Sequence, residues 1–96
     1  MSTKLNDEEV LQRLRSLDDW LLKDEKLYRE YIFPNFVEAI GFVTRAAIEA
    51  EKLNHHPEWC NVYNRVAVHL VTHSAHGITA LDFELAQKLN QLAKNT

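Results

Sequence analysis

The stretch from Glu51 to Tyr63, EKLNHHPEWCNVY, constrains this chain more than any other. A helical run of apolar residues stops there and something extended begins. Adjacent side chains on a regular helix or strand point in different directions, so His55 and His56 cannot share one regular face. Pro57 pushes the residue before it toward extended geometry. Both imidazoles therefore sit at a helix-to-strand junction, where chemistry is often placed on a rigid scaffold.

The remaining elements follow from periodicity. Asn6 opens a first helix, with Glu9 completing a capping-box pattern. Val10, Leu11, Leu14 and Leu17 recur on one of its faces. Trp20 to Leu22 predicts a short strand, 23–26 a polar turn, and Leu27 to Phe33 the strand's hairpin partner. Leu27, Tyr31 and Phe33 share one side of that strand, with Arg29 as the exception. Asn35, with Glu38 three residues on, opens a second helix over 35–54. Its residues Phe36, Ala39, Ile40, Phe42, Val43, Ala46, Ala47, Ala50 and Leu53 fill an arc of roughly 160°. Val37 and Ile48 lie outside even that arc. A helix covering one sheet face needs a stripe little more than 100° wide, so the surplus predicts a second contact, most simply with another subunit. Gly41 lies opposite and either permits a close approach or is neutral.

Trp59 to Val62 predicts a third strand and Val66 to Thr72 a fourth, with a reversal at Tyr63-Asn64-Arg65 that asparagine tolerates. Ser74 to Ile78 is a loop. Thr79 and Asp82 form a capping pair for a last helix carrying Leu81, Leu85 and Leu89. The order helix–strand–strand–helix–strand–strand–helix predicts an α+β fold in one domain spanning 1–96. It is a two-layer sandwich of a four-stranded antiparallel sheet with three helices on one face. The far sheet face is either wet or partly lined by Trp59, Tyr63 and the histidines.

Composition narrows the function. A net charge of -3 argues against nucleic-acid binding, which needs a basic footprint. No apolar run is long enough for a membrane span, and the acidic start MSTKLNDEEV is unlike a signal peptide, so the cytoplasm is the expected compartment. One cysteine, Cys60, excludes an internal disulfide and a thiolate metal cluster. It alternates away from Trp59 and reads as a buried small hydrophobe.

Three of the five histidines, His55, His56 and His73, lie at junctions. Imidazole populates both protonation forms near neutral pH, so a pair can donate a proton on one side of a molecule and accept one on the other. Glu51, one helical turn before His55, could orient that ring, and Trp59 could wall a flat heterocycle. Plainer readings stand beside these. The paired histidines suit a helix C-terminus, His73 a strand end, Glu51 a solvated helix position, Trp59 the core, and Asp82 the acid of a helix first turn. A metal site is the weakest reading, because no short ligand signature such as HExxH occurs. His69 and His76 read as structural.

The same residues carry a family pattern: an acidic or polar residue, three spacers, His-His-Pro, five or six spacers, an aromatic, nine spacers, His, then a gap and Asp. Glu51, His55, His56, Pro57, Tyr63, His73 and Asp82 satisfy it. With the flanking stretches GFVTRAAIEAEKLNHHPEWCNVYNRV and LRSLDDW, the chain closely resembles the pterin-4a-carbinolamine dehydratases, also called dimerisation cofactors of a homeodomain transcription factor. The resemblance implies loss of water from a 4a-hydroxytetrahydropterin without metal or organic cofactor, in recycling of the pterin used by aromatic amino-acid hydroxylases. It implies acid–base and positioning roles for His55, His56 and His73. Glu51 and Pro57 would be supporting or substrate-binding residues, Trp59 would wall the pterin, and Asp82 would belong to the frame of the site. It also implies a homodimer or homotetramer through helix 35–54 and the sheet edges. Some relatives instead stabilise a transcription factor's dimer, which gives a competing reading as an interaction protein; a hydroxylase is a further partner class. In a eukaryote a nuclear pool would be compatible with this.

Overall fold

The computed structural model describes residues 3–94. Helix α1 (Asp7–Leu14) is followed by strands β1 (Leu21–Lys23) and β2 (Lys26–Ile32). Helix α2 (Phe36–Leu53) leads to strands β3 (Glu58–Val62) and β4 (Arg65–Leu70), and helix α3 (Ala80–Lys94) closes the chain. A single 3-10 turn over His73–Ala75 interrupts the segment expected to be a featureless loop. The strands form one antiparallel sheet in the order β1-β2-β4-β3. This is the α+β sandwich that the periodicities predict.

The register explains the layers. Leu27 pairs with Leu70, Tyr31 with Val66, and Trp59 with Val68, so these side chains share one sheet face. Leu27, Tyr31, Val66, Val68 and Leu70 are buried there against Ala39, Phe42, Ala46 and Ala50 of α2 and Leu85, Ala86 and Leu89 of α3. Val10 of α1 and Leu17 just beyond it join the same core, whereas Leu11 points to solvent. The opposite sheet face carries Tyr28, Glu30, Ala67, His69 and Cys60 and has no helix over it. Cys60 is exposed, contrary to the sequence expectation, because alternation puts it on this uncovered face opposite Ala67. Trp59 is half-buried on the helix side, so it does not line the far face.

Local chemistry sets the element ends. At α1 the capping box is complete: Glu9 N donates to Asn6 Oδ1 at 2.8 Å and Asn6 N donates to Glu9 Oε1 at 3.0 Å. At α2, Asn35 Oδ1 accepts from Glu38 N at 2.9 Å. The β1–β2 turn is tighter than the expected 23–26. Asp24 and Glu25 both have positive φ, 53° and 62°, as a two-residue primed turn requires. At the β3–β4 turn the positive φ falls on Tyr63 (53°) and not on Asn64. Asn64 instead ties the turn to the end of β2, its Nδ2 donating to Phe33 O at 2.9 Å while its own carbonyl accepts from Phe33 N at 2.8 Å.

The arginine on the core face of β2 has a structural reason. Its guanidinium lies 4.2 Å from the Tyr31 ring centroid and donates to Asn90 Oδ1 at 2.6 Å. Trp20 Nε1 and Tyr31 Oη donate to the same oxygen at 2.8 and 2.5 Å, which fastens α3 across the sheet. Burial pushes the Tyr31 phenol up to about 12. Gly41 is not demanded by a close helix approach: a Cβ there would meet only the Arg45 guanidinium, at 3.3 Å.

Candidate active site

The end of α2 builds the junction. Asn54 adopts the left-handed conformation (φ 49°, ψ 44°), which asparagine tolerates better than most residues. The His55 amide then reaches back to Ala50 O at 3.0 Å, the long-range bond of a Schellman-type helix end. This reversal turns His55 into the protein and His56 outward: His55 is 8% exposed, whereas the His56 side chain is 57% exposed. Pro57 then starts the chain toward β3.

Each of the three histidines meets a carboxylate. His55 Nε2 bonds Asp82 Oδ1, a carboxylate that is completely buried at the start of α3. The other Asp82 oxygen accepts from Thr72 Oγ1 at 2.8 Å and from the Thr79 amide at 2.9 Å. Thr72 and Thr79 hydroxyls are 2.8 Å apart, and Thr79 Oγ1 also accepts from Leu81 N at 3.2 Å. Asp82 is thus the expected helix-start acid and the partner of His55 at once, which its four acceptor positions allow. A buried carboxylate is costly without such saturation.

Glu51 pairs with His56 and not with His55: Oε1 lies 2.5 Å from His56 Nε2. The expected pairing at i,i+4 fails because the helix ends at Leu53, one residue before Asn54 turns left-handed, and His55 leaves the helical path. Both partners of the observed pair are more than half exposed, so it adds little to stability and acts mainly on orientation.

His73 Nε2 lies 2.9 Å from Glu58 Oε2, and Lys26 Nζ lies 2.7 Å from Glu58 Oε1. The Lys26 bond, and after it the His73 bond, hold the Glu58 carboxyl below the usual carboxylate range. Sequence reasoning missed Glu58, Lys26 and Thr72. A signal for Glu58 was present: a two-residue turn at 63–64 sets Glu58 across from His69, on the face that alternation assigns to His73.

These bonds bring five of the seven expected site residues into one neighbourhood. Asp82 links His55 to Thr72, the residue before His73, and Glu58 links His73 back to the strand that follows His56 and Pro57. Glu51 closes on His56 from the helix side. Trp59 packs against the core from the helix-facing side of β3, and Pro57, partly buried, leads the chain into that strand. Tyr63, 62% exposed, stands in the turn at the far end of the β3–β4 hairpin. His69 stacks on Tyr28 with ring centroids 4.7 Å apart. A cleft of about 270 Å³ lies between Lys4, the β1–β2 turn with Lys26, and His76 to Ile78, and none of the three site histidines lines it. Among the described residues no group of three or more His, Cys, Asp and Glu side chains is arranged to hold a metal ion. No helix among them is long and apolar enough to cross a membrane.

The arrangement can move protons. A carboxylate bonded to one ring nitrogen fixes the tautomer and leaves the other nitrogen for a bound molecule. Of the three pairs, His55–Asp82 is buried, while His56–Glu51 and His73–Glu58 are open to solvent.

Comparison with known proteins shows the family. Residues 3–92 match the family model described as pterin 4 alpha carbinolamine dehydratase. A relative from Solibacter usitatus, provisionally named pterin-4-alpha-carbinolamine dehydratase, is 54% identical over 93 residues, covering 97% of this chain and 98% of its own. A relative from Chelativorans with the same provisional name is 51% identical over 92 residues, covering 94% of each chain. The crystal structure of a transcriptional coactivator/pterin dehydratase from Brucella melitensis superposes with a TM-score of 0.92 at 47% identity. That match covers 95% of this chain and 99% of the other. On sequence, fold and the extent of both matches, the chain belongs to the pterin-4a-carbinolamine dehydratase family.

Proposed function

We propose that this protein removes water from a 4a-hydroxytetrahydropterin, giving the quinonoid dihydropterin and so returning the cofactor of aromatic amino-acid hydroxylases to use. The observation that carries this is three imidazoles each bonded to its own carboxylate: His55 and His56 at the α2–β3 junction, and His73, in the turn after β4, tied to Glu58 at the start of β3.

The reaction breaks the C4a–O bond and the N5–H bond and forms the C4a–N5 double bond. One proton must reach the departing hydroxyl and one must leave N5, so no redox partner or metal enters the balance. His56 or His73, both exposed, delivers the proton to the hydroxyl. His55, held rigidly by Asp82, positions the ring or takes the N5 proton through its second nitrogen. Stopped-flow absorbance of a freshly generated 4a-hydroxytetrahydropterin tests the reading directly. Dehydration faster with the folded protein than in buffer is expected; equal rates would defeat it.

A second reading concerns association. Phe36, Val37, Ile40 and Ile48 of α2 are 50%, 76%, 39% and 53% exposed and lie side by side along the helix. So much apolar surface on one exposed helix face marks a contact. The chain is proposed to form a homodimer or homotetramer through this face and the edges of the sheet. A helical protein partner in the same place, such as a transcription factor, is the alternative, suggested by the coactivator name of the Brucella protein. Light scattering should give a mass of two or four chains, reduced by Ile40→Glu with Ile48→Glu. A monomeric native protein would remove the homo-oligomer and favour the partner.

A further inference from the structure

We infer that Glu58 is the positioning residue of His73, with Lys26 holding it in place. This rests on the dehydration reading above and adds to it a carboxylate outside the family motif. His73 is 77% exposed at its side chain, in the first residue of the 3-10 turn after β4, so packing does little to orient its ring. What orients it is Glu58 Oε2, 2.9 Å from Nε2. The bond places the ring proton on Nε2, because a carboxylate can only accept. Nδ1 is then the nitrogen with a lone pair, the atom that accepts or returns a proton at the substrate.

Glu58 is itself fixed from two directions. As the first residue of the edge strand β3 its backbone is set by pairing opposite His69, and its second oxygen accepts from Lys26 Nζ at 2.7 Å. Lys26 in turn is the first residue of β2 and sits on the same uncovered sheet face through the β2–β4–β3 register. Three chain segments far apart in sequence therefore converge on one ring. Exposed ion pairs of this kind add little stability, since ordering long side chains offsets most of the attraction. Their effect falls on geometry, to which proton transfer is sensitive.

The test compares the native protein with Glu58→Met, which keeps the length and removes both acceptors. Long-range proton–nitrogen correlation spectra, at a pH where the ring is neutral, should show His73 mainly protonated on Nε2 in the native protein. In Glu58→Met the ring should shift toward a mixture of tautomers. The kcat of Glu58→Met should fall about 10- to 100-fold with KM changed little, the size of effect misplacement produces. Glu58→Gln, whose amide oxygen still accepts, should recover part of that loss. In a His73→Ala background Glu58→Met should cost nothing further. An unchanged His73 tautomer in Glu58→Met, or an equal loss of kcat in the His73→Ala background, would overturn the inference. Absence of dehydratase activity in the native protein would sink the reaction proposed above, while the spectra would still decide the role of Glu58.

Discussion

Alanine at both His55 and His56 should lower kcat for 4a-hydroxytetrahydropterin dehydration by about 10²–10⁴-fold while leaving the sheet intact. That range is what removal of a positioned proton donor or acceptor costs. The two single variants should differ in kind. His56 is exposed and bonded only to an exposed Glu51, so His56→Ala should alter kcat with little change in stability. His55 is buried against Asp82, so His55→Ala should lose activity and stability together by stranding a buried carboxylate. Slow unaided dehydration of the substrate compresses the apparent loss, so rates are best compared after subtracting the buffer reaction. Stopped-flow traces and urea unfolding on the same preparations separate the two effects. Native-like kcat in the double variant would remove the histidine pair from the chemistry.

The second large effect is expected at Asp82. Its carboxylate is fully buried and joins His55, the Thr72 hydroxyl and the Thr79 amide in one network. Asp82→Ala removes the partner of a buried histidine and a helix-start acceptor at once. The combined cost should be about 3–5 kcal/mol, a large share of the roughly 5–15 kcal/mol that holds a domain together. Asp82→Asn isolates the chemistry. The amide keeps the volume but offers a donor as well as an acceptor. When its nitrogen faces His55, Nε2 must accept, and the ring takes the opposite tautomer. By the logic of a carboxylate that sets a catalytic histidine's tautomer, kcat could fall by up to about 10⁴-fold. An unfolding free energy from urea titration within about 1 kcal/mol of native for Asp82→Ala would contradict the buried network. Unchanged kcat in Asp82→Asn would contradict the orienting role.

Much of the fold was legible because local rules and the tertiary structure agree. Asn6 with Glu9, and Asn35, start helices where capping patterns put them. The alternation of β2 and β4 survives with its core face intact, and even the exceptional Arg29 stays on that face, folded over Tyr31. Failures came where one residue serves two masters or where a single conformation decides a direction. Cys60 is exposed, not buried, because it lies on the bare face of an edge strand. Helical spacing points Glu51 toward His55, but the left-handed Asn54 ends that spacing and Glu51 meets His56.

The amino-acid sequence by itself determined the elements, their order, the junction at His55-His56-Pro57 and the family. Each of these depends on spacing along the chain, which period and motif express directly. Only the tertiary structure decided which carboxylate meets which imidazole. Asp82 comes to His55 from 27 positions later, and Glu58 to His73 from 15 positions earlier. Such pairs depend on how α2, α3 and the β3–β4 hairpin pack against one another. Side chains far apart in sequence become neighbours only when a shared core fixes the elements that carry them.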